Sequence, residues 1–175
     1  MKSHKLINFI VVDTFHIGDP HFWHKNIIEY CNRPYNSVEQ MNETIIDIWN
    51  STISRKDKVF IHGDFSFCDI EETQKLVDCL NGYKILIMGN HDRWRIWRKI
   101  NIEEICRYPV IYDNKYILSH QPINREFLGD FYNIHAHLHN SGNLESDKYF
   151  NVSIENIVKP IRFSVIKKGF EKLEK

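Results

Sequence analysis

The chain has 175 residues, 42% of them hydrophobic and 26% charged, a composition typical of a globular domain rather than a disordered or fibrous protein. Basic and acidic residues both number 23, so the formal net charge is zero, which excludes a protein whose whole surface attracts nucleic acid. The four cysteines form no CxxC pair and no apolar segment is long enough to span a bilayer, so we expect a cytoplasmic protein with no membrane partner.

In chain order, strands and helices alternate in the first half of the sequence, and strands dominate in the second half. The predicted strands cover residues 5–13, 58–65, 83–90, 131–139 and 149–168, and residues 108–122 form a predicted hairpin that turns at Asp113–Asn114. Residues 13–34 are expected to be irregular. Because no linker, repeat or low-complexity segment interrupts this order, we expect one mixed α/β domain over residues 1–175.

Three helices are predicted from their end signals and spacing. Ser37 is the expected cap of the first, because Gln40 stands at capping-box spacing from it. Asp69 is the expected cap of the second, which should end at Asn81–Gly82. The third is a short helix over residues 168–175.

Histidine is the compositional outlier, with ten residues, six of which lie in two clusters, His16–His24 and His135–His139. Several apolar runs also end in a histidine, aspartate or asparagine, and the ends of strands are where α/β sheets bind their ligands. In a chain without paired thiols, clustered His and Asp indicate a metal site before any other function. If these segments converge, they bring together Asp19, His21, Asp64, Asn90, His91, His120, His137 and His139.

The spacing within the clusters supports a shared metal site. Asp19 and His21, like His137 and His139, are two residues apart and point to the same side of an extended chain. Their side chains would start about 6–7 Å apart, which suits one shared ion or two ions about 3.5–4 Å apart. A ligand set of oxygen and nitrogen atoms suits Mn²⁺, Fe or Zn²⁺ better than Cu(I) or a metal cluster.

Taken in order, the motifs DPH, GD, GNHD, SHQP and AHLH resemble those of the calcineurin-like metallophosphoesterases. The segments DPHFWHKNII, CNRP and LNGYKILIMGNHD are similar to the small single-domain bacterial and phage members, and the likeness extends over residues 9–155. The resemblance implies an α/β (α+β) fold, a four-layer αββα sandwich of two mixed β-sheets flanked by helices, with the metals at one edge.

The same resemblance implies a role for each matching position and two divalent metal ions. The ligands of one ion would be Asp19, His21 and His139, those of the other Asn90, His120 and His137, and the residue bridging both Asp64. His91 would be the general acid that protonates the leaving group, and Asp92 would orient its imidazole. Mn²⁺ is the favoured ion, with Fe, Ni²⁺, Zn²⁺ or Mg²⁺ as alternatives.

Four positions depart from the family pattern without removing a ligand. Ala136 replaces a glycine, so the backbone at this position is not expected to adopt a positive φ easily. Gly18 replaces a serine, Trp23 replaces a glycine, and Pro20 lies inside the first motif. We expect these changes to alter the shape of the pocket rather than the metal site.

Residues outside the motifs have more than one interpretation. The candidates for substrate contacts are His24, Asn26, Arg33 and Arg93, with a structural role equally weighted for His24. In residues 92–99, Trp94 and Trp97 are either a platform for a nucleobase or the inward face of a short helix, and the helix is favoured. The remaining clustered histidines, His16, His62 and His135, are interpreted as structural.

Three functions follow from these motifs. The favoured one is a dinuclear-metal phosphodiesterase that hydrolyses a nucleotide or other small phosphodiester through a metal-bridging hydroxide, with a short nucleic acid also a candidate substrate. The second is a phosphomonoesterase acting on a nucleotide, a sugar phosphate or a phosphoprotein. A catalytically inactive binding module is disfavoured, because the chain keeps every predicted ligand and the acid. The physiological substrate and the oligomeric state are not indicated.

Overall fold

The computed structural model describes residues 12–141 and 147–173. Its strands are β1 (Thr14–Ile17), β2 (Lys58–Ile61), β3 (Tyr83–Ile87), β4 (Glu104–Cys106), β5 (Val110–Tyr112), β6 (Tyr116–Leu118), β7 (Tyr132–His135), β8 (Tyr149–Asn151) and β9 (Ile161–Arg162). Its helices are α1 (Ile27–Tyr30), α2 (Val38–Thr52), α3 (Ile70–Cys79), α4 (Trp94–Trp97), α5 (Arg125–Leu128), α6 (Ile154–Ile157) and α7 (Phe163–Leu173).

Two mixed sheets form the centre of the molecule. The first has the order β4-β3-β2-β1-β9, with β1 to β4 parallel and β9 antiparallel at the edge. The second has the order β5-β6-β7-β8, with an antiparallel β5–β6 pair and parallel pairs elsewhere. The predicted fold class, two mixed sheets flanked by helices, is confirmed.

Local signals set several of these elements as expected. The Ser37 hydroxyl accepts the N–H of Gln40 at the start of α2, and the Asp69 carboxylate accepts the N–H of Glu72 at the start of α3. The hairpin between β5 and β6 turns at Asp113–Asn114, where φ is 50° and 53°. Asp and Asn tolerate this left-handed conformation better than other residues with a side chain.

The outer core lies between the first sheet and α2 and α3. Met41, Ile45 and Trp49 are spaced along one face of α2 and are fully or almost fully buried. Burial of such large apolar side chains stabilises the fold by about 1.5–3 kcal/mol each. They belong to one apolar cluster with side chains from the first sheet and from α3. The sheet contributes Phe15, Ile17, Val59, Ile61 and Leu86, and α3 contributes Leu76 and Val77.

A second core fills the space between the two sheets. Phe60 belongs to it, whereas its neighbours Val59 and Ile61 belong to the outer core, because successive side chains of a strand point to opposite faces. Both faces of β2 are therefore buried, as in other parallel sheets. The members of this second core are Phe60, Ile85, Ile87, Tyr116, Leu118, Tyr132, Ile134, Val152, Ile166 and Phe170.

Three predicted elements differ from the structure. The strand predicted over residues 5–13 lies almost entirely outside the described residues, and β1 begins just after it, within the segment expected to be irregular. The strand predicted over residues 149–168 is two short strands separated by α6 and followed by α7. Helix α7 begins five residues earlier than the predicted helix at 168, because Ile166 and Phe170 are four residues apart and both pack into the core between the sheets.

Within residues 12–141 and 147–173, none of the helices combines the length and apolar character that crossing a bilayer demands.

Candidate metal centre

The carboxyl ends of β1, β2 and β3 bring the first three motifs to one edge of the first sheet. The N–H of Asp19 donates to the carbonyl of Gly63 over 3.2 Å, and the N–H of His21 donates to the carbonyl of Asp64 over 3.1 Å. At Gly89 a Cβ would collide with the Asp64 carboxylate, so only glycine allows this close approach. The parallel strand order thus places the three motifs side by side.

The ends of β6 and β7 complete the cluster from the second sheet. The N–H of Ala136 donates to the carbonyl of His120 over 2.9 Å, which aligns the last two motifs. The N–H of His137 donates to Oδ2 of Asp19 over 2.8 Å and so joins the two sheets at the site. Ala136 itself does not have a positive φ; the left-handed residue is His137, with φ of 71°.

Several predicted ligands have the left-handed backbone that side chains rarely adopt. In L-residues this conformation costs about 1–2 kcal/mol, and it clusters at functional sites where the surrounding structure enforces it. The ligands with positive φ are Asp19 (54°), His21 (51°), Asp64 (52°), His137 (71°) and His139 (49°).

The first predicted ligand group is compact. One ligand atom each from Asp19, His21 and His139 lie within 4.8 Å of one another. The Nδ1 of His21 is hydrogen-bonded to Nδ1 of His24 at 3.0 Å, which leaves Nε2 of His21 directed into the site. The arrangement is the one expected for an imidazole ligand whose second nitrogen is held by a neighbour.

The second predicted group is equally compact. Ligand atoms of Asp64, His120 and His137 lie within 4.8 Å of one another. His120 donates its Nδ1–H to the carbonyl of His62 over 2.8 Å, so its Nε2 faces the cluster. The Oδ1 of Asn90 is 2.8 Å from this Nε2, which places the amide in the same group.

Asp64 lies where the two groups meet. Its Oδ2 is 3.6 Å from Nε2 of His21 in the first group and 3.5 Å from Nε2 of His120 in the second. Two atoms that each bind one ion at about 2.1 Å are themselves about 3–3.5 Å apart, so these separations suit shared ions better than direct hydrogen bonds. The position is the one that a bridging carboxylate needs.

Two buried ligand atoms test whether divalent ions fit here. Oδ1 of Asp19 and Nε2 of His21 are shielded from solvent and have no hydrogen-bond partner among the described residues. A buried polar atom without a partner is costly, and in native proteins it calls for a specific explanation. Both atoms belong to the same ligand group, so a bound cation would satisfy both at once.

The electrostatics of the cluster also suit a cation. Burial raises the pKa of Asp19 to about 7, against a usual value near 3.8. Burial likewise raises the pKa of Asp64 and lowers the pKa of His21 far below its usual value. Carboxylates and imidazoles packed together in this way are ionised and neutral, respectively, when a divalent ion is bound.

His91 and Asp92 are adjacent in sequence and have different surroundings. The His91 side chain is 49% exposed, and its Nε2 lies 3.9 Å from Oδ2 of Asp64. Asp92 is buried, and its two oxygens accept the backbone N–H groups of Asp64, Phe65 and Gly89 and the indole N–H of Trp97. Asp92 thus holds the two loops that carry Asp64 and His91, and none of these hydrogen bonds reaches the His91 ring. Its role in orienting that ring stays a prediction.

The residues predicted to contact substrate occupy different environments. Arg33, which was expected to line the mouth of the pocket, is buried, and its guanidinium donates to the carbonyls of Asp19 and Pro20. A contact between Arg33 and substrate stays a prediction. His24 is partly buried beside His21 and stacks on Phe67, with ring centroids 3.9 Å apart. The two remaining candidates, Asn26 and Arg93, are exposed and remain predictions.

Glu155 is the residue at this site that the sequence did not reveal. Its Oε1 accepts from Arg33 Nε at 2.9 Å and from Arg33 NH2 at 2.6 Å, and lies 3.0 Å from Nδ1 of His139. Burial alone lowers the pKa of His139, but the hydrogen bond to Glu155 and the nearby carboxylates outweigh it and raise this pKa. No local motif marks Glu155, which is 122 positions from Arg33.

Cys31 also lies near His139 and Glu155, and the three could in principle form another ligand group. Burial and the neighbouring Glu155 carboxylate raise the pKa of the Cys31 thiol to about 11. The Cys31 thiol is therefore protonated at neutral pH in the absence of a metal ion.

A cavity of about 430 Å³ adjoins the second ligand group. Asn90 and His120 form one wall, and the side chains of Arg107, Tyr108 and Phe127 form the outer rim. A molecule bound at the predicted metal ions could therefore extend directly into this cavity.

The sequence matches the profile of the calcineurin-like phosphoesterase family over residues 13–168. The chain belongs to this family. Like the family as a whole, this phosphoesterase is expected to hydrolyse phosphoesters with a dinuclear divalent metal centre, and its Asp and His groups are candidate ligands.

Relatives of this phosphoesterase come from an archaeon, a phage and a bacterium. An uncharacterized protein of Methanocaldococcus jannaschii is 37% identical over 167 residues, which cover 89% of this chain and 90% of that protein. The gene 66 protein of Mycobacterium phage L5 is 26% identical over 140 residues, or 67% of this chain and 65% of the phage protein. The crystal structure of an Aquifex aeolicus protein of unknown function has a TM-score of 0.70 and 27% identity, covering 90% of this chain and 99% of that one.

Proposed function

We propose that this chain is a phosphodiesterase that uses two divalent metal ions to hydrolyse a nucleotide or another small phosphodiester. Its oxygen and nitrogen donors favour Mn²⁺, with Fe, Ni²⁺, Zn²⁺ and Mg²⁺ as alternatives. Such ions, when bound, supply a readily ionised water and positive charge that stabilises the phosphoryl oxygens. The proposed ligands are Asp19, His21 and His139 for one ion, Asn90, His120 and His137 for the other, and Asp64 for both.

The protein side chains would orient the ligands and move a proton. The half-exposed His91 ring beside Asp64 can reach the oxygen of a leaving group and donate a proton to it. His120 and His139 are held through Nδ1 by the His62 carbonyl and the Glu155 carboxylate, respectively. These contacts present the other ring nitrogen of each histidine to an ion.

The cavity beside Asn90 and His120 is the observation that favours a diester. A phosphodiester carries a second substituent, and about 430 Å³ of space next to the ligand group can receive it. The buried Arg33 guanidinium is already bonded to backbone carbonyls and Glu155, so it is not free to balance the second negative charge of a monoester. Monoester hydrolysis is therefore the weaker alternative.

The test is hydrolysis of bis(p-nitrophenyl) phosphate beside p-nitrophenyl phosphate by protein reconstituted with Mn²⁺, and then with Ni²⁺, Zn²⁺ and Mg²⁺. We expect faster turnover of the diester, and we expect a chelator to abolish it. Preference for the monoester would assign a phosphatase instead. Absence of turnover of either ester, in protein shown to bind two ions, would contradict the proposal.

Two variants control for the metal dependence. Asp64→Ala should lose both bound metal and turnover, because Asp64 is proposed to contact both ions. Glu103→Gln should keep both, since Glu103 pairs with Lys84 at the opposite end of the sheet. Metal content of each variant is measured by elemental analysis of dialysed protein.

A further inference from the structure

We propose that the cavity beside Asn90 and His120 binds the nucleoside portion of the substrate, so that the preferred substrate is a nucleoside phosphodiester. This inference rests on the proposed function and names the substrate class of the same site. The cavity is continuous with the second ligand group, because Asn90 and His120 belong to both. A phosphate at the ions would place its substituent within reach of the cavity.

The rim of the cavity offers flat rings. The side chains of Tyr108 and Phe127, which line the cavity, are 73% and 76% exposed, and large aromatic side chains are usually more buried than this. A nucleobase that stacks on such rings removes apolar surface from water and gains from ring-on-ring contact. An acyclic aliphatic substituent has no flat face to place against these rings.

A cation lies at the same rim. The guanidinium of Arg107 lies 5.0 Å from the centre of the Trp94 ring and 5.9 Å from that of the Tyr108 ring. This contact holds the positive charge of Arg107 beside the cavity, next to the Tyr108 ring on which a base could stack. The same charge attracts the anionic phosphodiester, in a chain whose overall charge is zero.

Polar groups inside the cavity can read the edge of a base. Gln121 and Asn124 line it, and both are exposed. Among the described residues, no hydrogen bond engages the Gln121 side chain, and the Asn124 side chain uses only its oxygen, which accepts the N–H of Glu126. Side-chain amides carry both donors and acceptors, the combination that a nucleobase edge requires. The volume, about 430 Å³, falls within the range of about 300–1,000 Å³ of small-molecule sites.

The first experiment compares two substrates with the same leaving group. Metal-loaded full-length protein is given thymidine 5′-(p-nitrophenyl phosphate) and methyl p-nitrophenyl phosphate, and kcat/KM is measured for each. We expect the thymidine ester to be preferred by about tenfold or more, the gain that aromatic stacking typically gives. The Tyr108→Ala and Phe127→Ala variants should each reduce this preference by a factor of about 5–10.

A matched control removes an exposed tyrosine elsewhere. Tyr83→Ala lies at the start of β3, at the opposite end of the strand from the cavity, and should keep the preference of the unsubstituted protein. A preference near one in the unsubstituted protein, or one that Tyr108→Ala leaves unchanged, would overturn the nucleoside site. Hydrolysis of both esters without preference would do so while leaving the proposed phosphodiesterase function intact.

A binding measurement covers the case in which neither ester is hydrolysed, an outcome that counts against the proposed function itself. Calorimetric titration of metal-loaded protein with thymidine 5′-monophosphate is compared with titration by inorganic phosphate. We expect the nucleotide to bind about tenfold more tightly, and Tyr108→Ala, but not Tyr83→Ala, to remove the difference. Equal affinity for nucleotide and phosphate would overturn the nucleoside site independently of catalysis.

Discussion

Neighbouring residues in the Gly89–Asp92 segment have separable tasks. Asn90 approaches the second ligand group, and the His91 ring remains half exposed above Asp64. Asp92 points inward and binds the backbone of both ligand loops. In the proposed function, three consecutive side chains divide ligation, proton transfer and support of the loops, so substitutions in this segment should have different consequences.

The His91→Ala variant should retain its metal ions and lose turnover. A positioned general acid typically contributes a factor of about 10²–10⁴, and most for poor leaving groups. The measurement is metal content together with kcat for esters whose leaving groups differ in pKa. Because the side chain is 49% exposed, its removal should not unfold the protein. Loss of metal from this variant would show that His91 is a ligand and would refute its assignment as the acid.

The Glu155→Gln variant should bind metal more weakly. The carboxylate holds His139 through Nδ1 and also pairs with the buried Arg33, so its neutralisation weakens one ligand and leaves a buried charge unbalanced. Removal of a group that supports a metal-bound histidine typically costs about 10–100-fold in affinity. Titration with Mn²⁺ gives the affinity, and Glu103→Gln is the matched control. Unchanged affinity would mean that Glu155 serves only the fold.

At the scale of elements, two departures from the family pattern compensate for each other. Gly18 follows β1 and Ala136 follows β7, and a Cβ on Gly18 would collide with the Cβ of Ala136. The resemblance to the family implies serine and glycine at these two positions, so this chain has its side chain on the other loop. The contact packs the first ligand loop against the last one.

Gly18→Ser should therefore destabilise this chain, and adding Ala136→Gly should restore most of the loss. Overpacking of a filled site costs about 1–3 kcal/mol, which corresponds to a fall in Tm of about 2–12 °C for a chain of this size. Thermal unfolding of both single variants and the double variant gives the coupling between the two positions. Gly169→Ser is the control, since a Cβ there meets Phe150 at an ordinary 3.6 Å. Additive effects at Gly18 and Ala136 would contradict the compensation.

At the scale of the whole molecule, a buried histidine pair links the space between the sheets to acid stability. His62 donates its Nδ1–H to the Ser119 carbonyl, so its Nε2 accepts from Nδ1 of His16 over 2.9 Å. Burial lowers the pKa of His62 to about 3, and burial together with His62 lowers the pKa of His16 well below its usual value. Both rings stay neutral in the folded protein at pH values where the unfolded chain binds protons.

The histidine pair should therefore lower the stability of the chelator-treated protein as the pH drops below about 6.5, the usual pKa of histidine in an unfolded chain. This contribution should continue to grow towards a pH of about 3, the pKa of His62 in the folded protein, whereas the raised pKa of Asp19 acts in the opposite direction. Each such group adds up to about 1.4 kcal/mol per pH unit to the slope. Urea unfolding at several pH values between 8 and 5 measures how the free energy of unfolding depends on pH. His16→Gln keeps a donor for His62 and removes one titrating ring, so its slope should be shallower. An unchanged slope would exclude His16 as a contributor.

Metal binding should stabilise the entire fold. The proposed ligands come from the ends of five strands in both sheets, and several have a left-handed backbone. Two of their buried atoms, Asp19 Oδ1 and His21 Nε2, have no hydrogen-bond partner among the described residues. One site at 100 times its Kd contributes about 2.7 kcal/mol, a rise in Tm of about 5–10 °C. Thermal unfolding with Mn²⁺ and with a chelator measures the shift. The same shift in Asp64→Ala would show that the ions bind elsewhere.

Two expectations at this scale stay predictions. One is the cytoplasmic location. The other is the single domain over residues 1–175, of which the family match covers residues 13–168.

The sequence by itself determined the kinds of residues at the site and the elements that carry them. The motif order, the caps Ser37 and Asp69 and the turn Asp113–Asn114 depend on spacing within a few residues, which is visible in any linear reading. The two sheets followed from the resemblance that these motifs carry. The secondary structure of the late part of the chain is less clear from the sequence. Residues 163–168 include β-branched and aromatic residues that are typical of a strand, but they form a helix because one face of it packs into the core between the sheets.

Only the tertiary structure decided which atoms meet. Arg33 and Glu155 are 122 positions apart, and Asp19 and His137 are 118 apart, so no local pattern predicts that they are bonded. The same holds for the different burial of Trp94 and Trp97, at 41% and 2% exposed. Side-chain direction and partnership are set by packing between elements far apart in the chain. That is why the sequence indicated the ligand set, while the support by Glu155 and the cavity beside His120 emerged only from the fold.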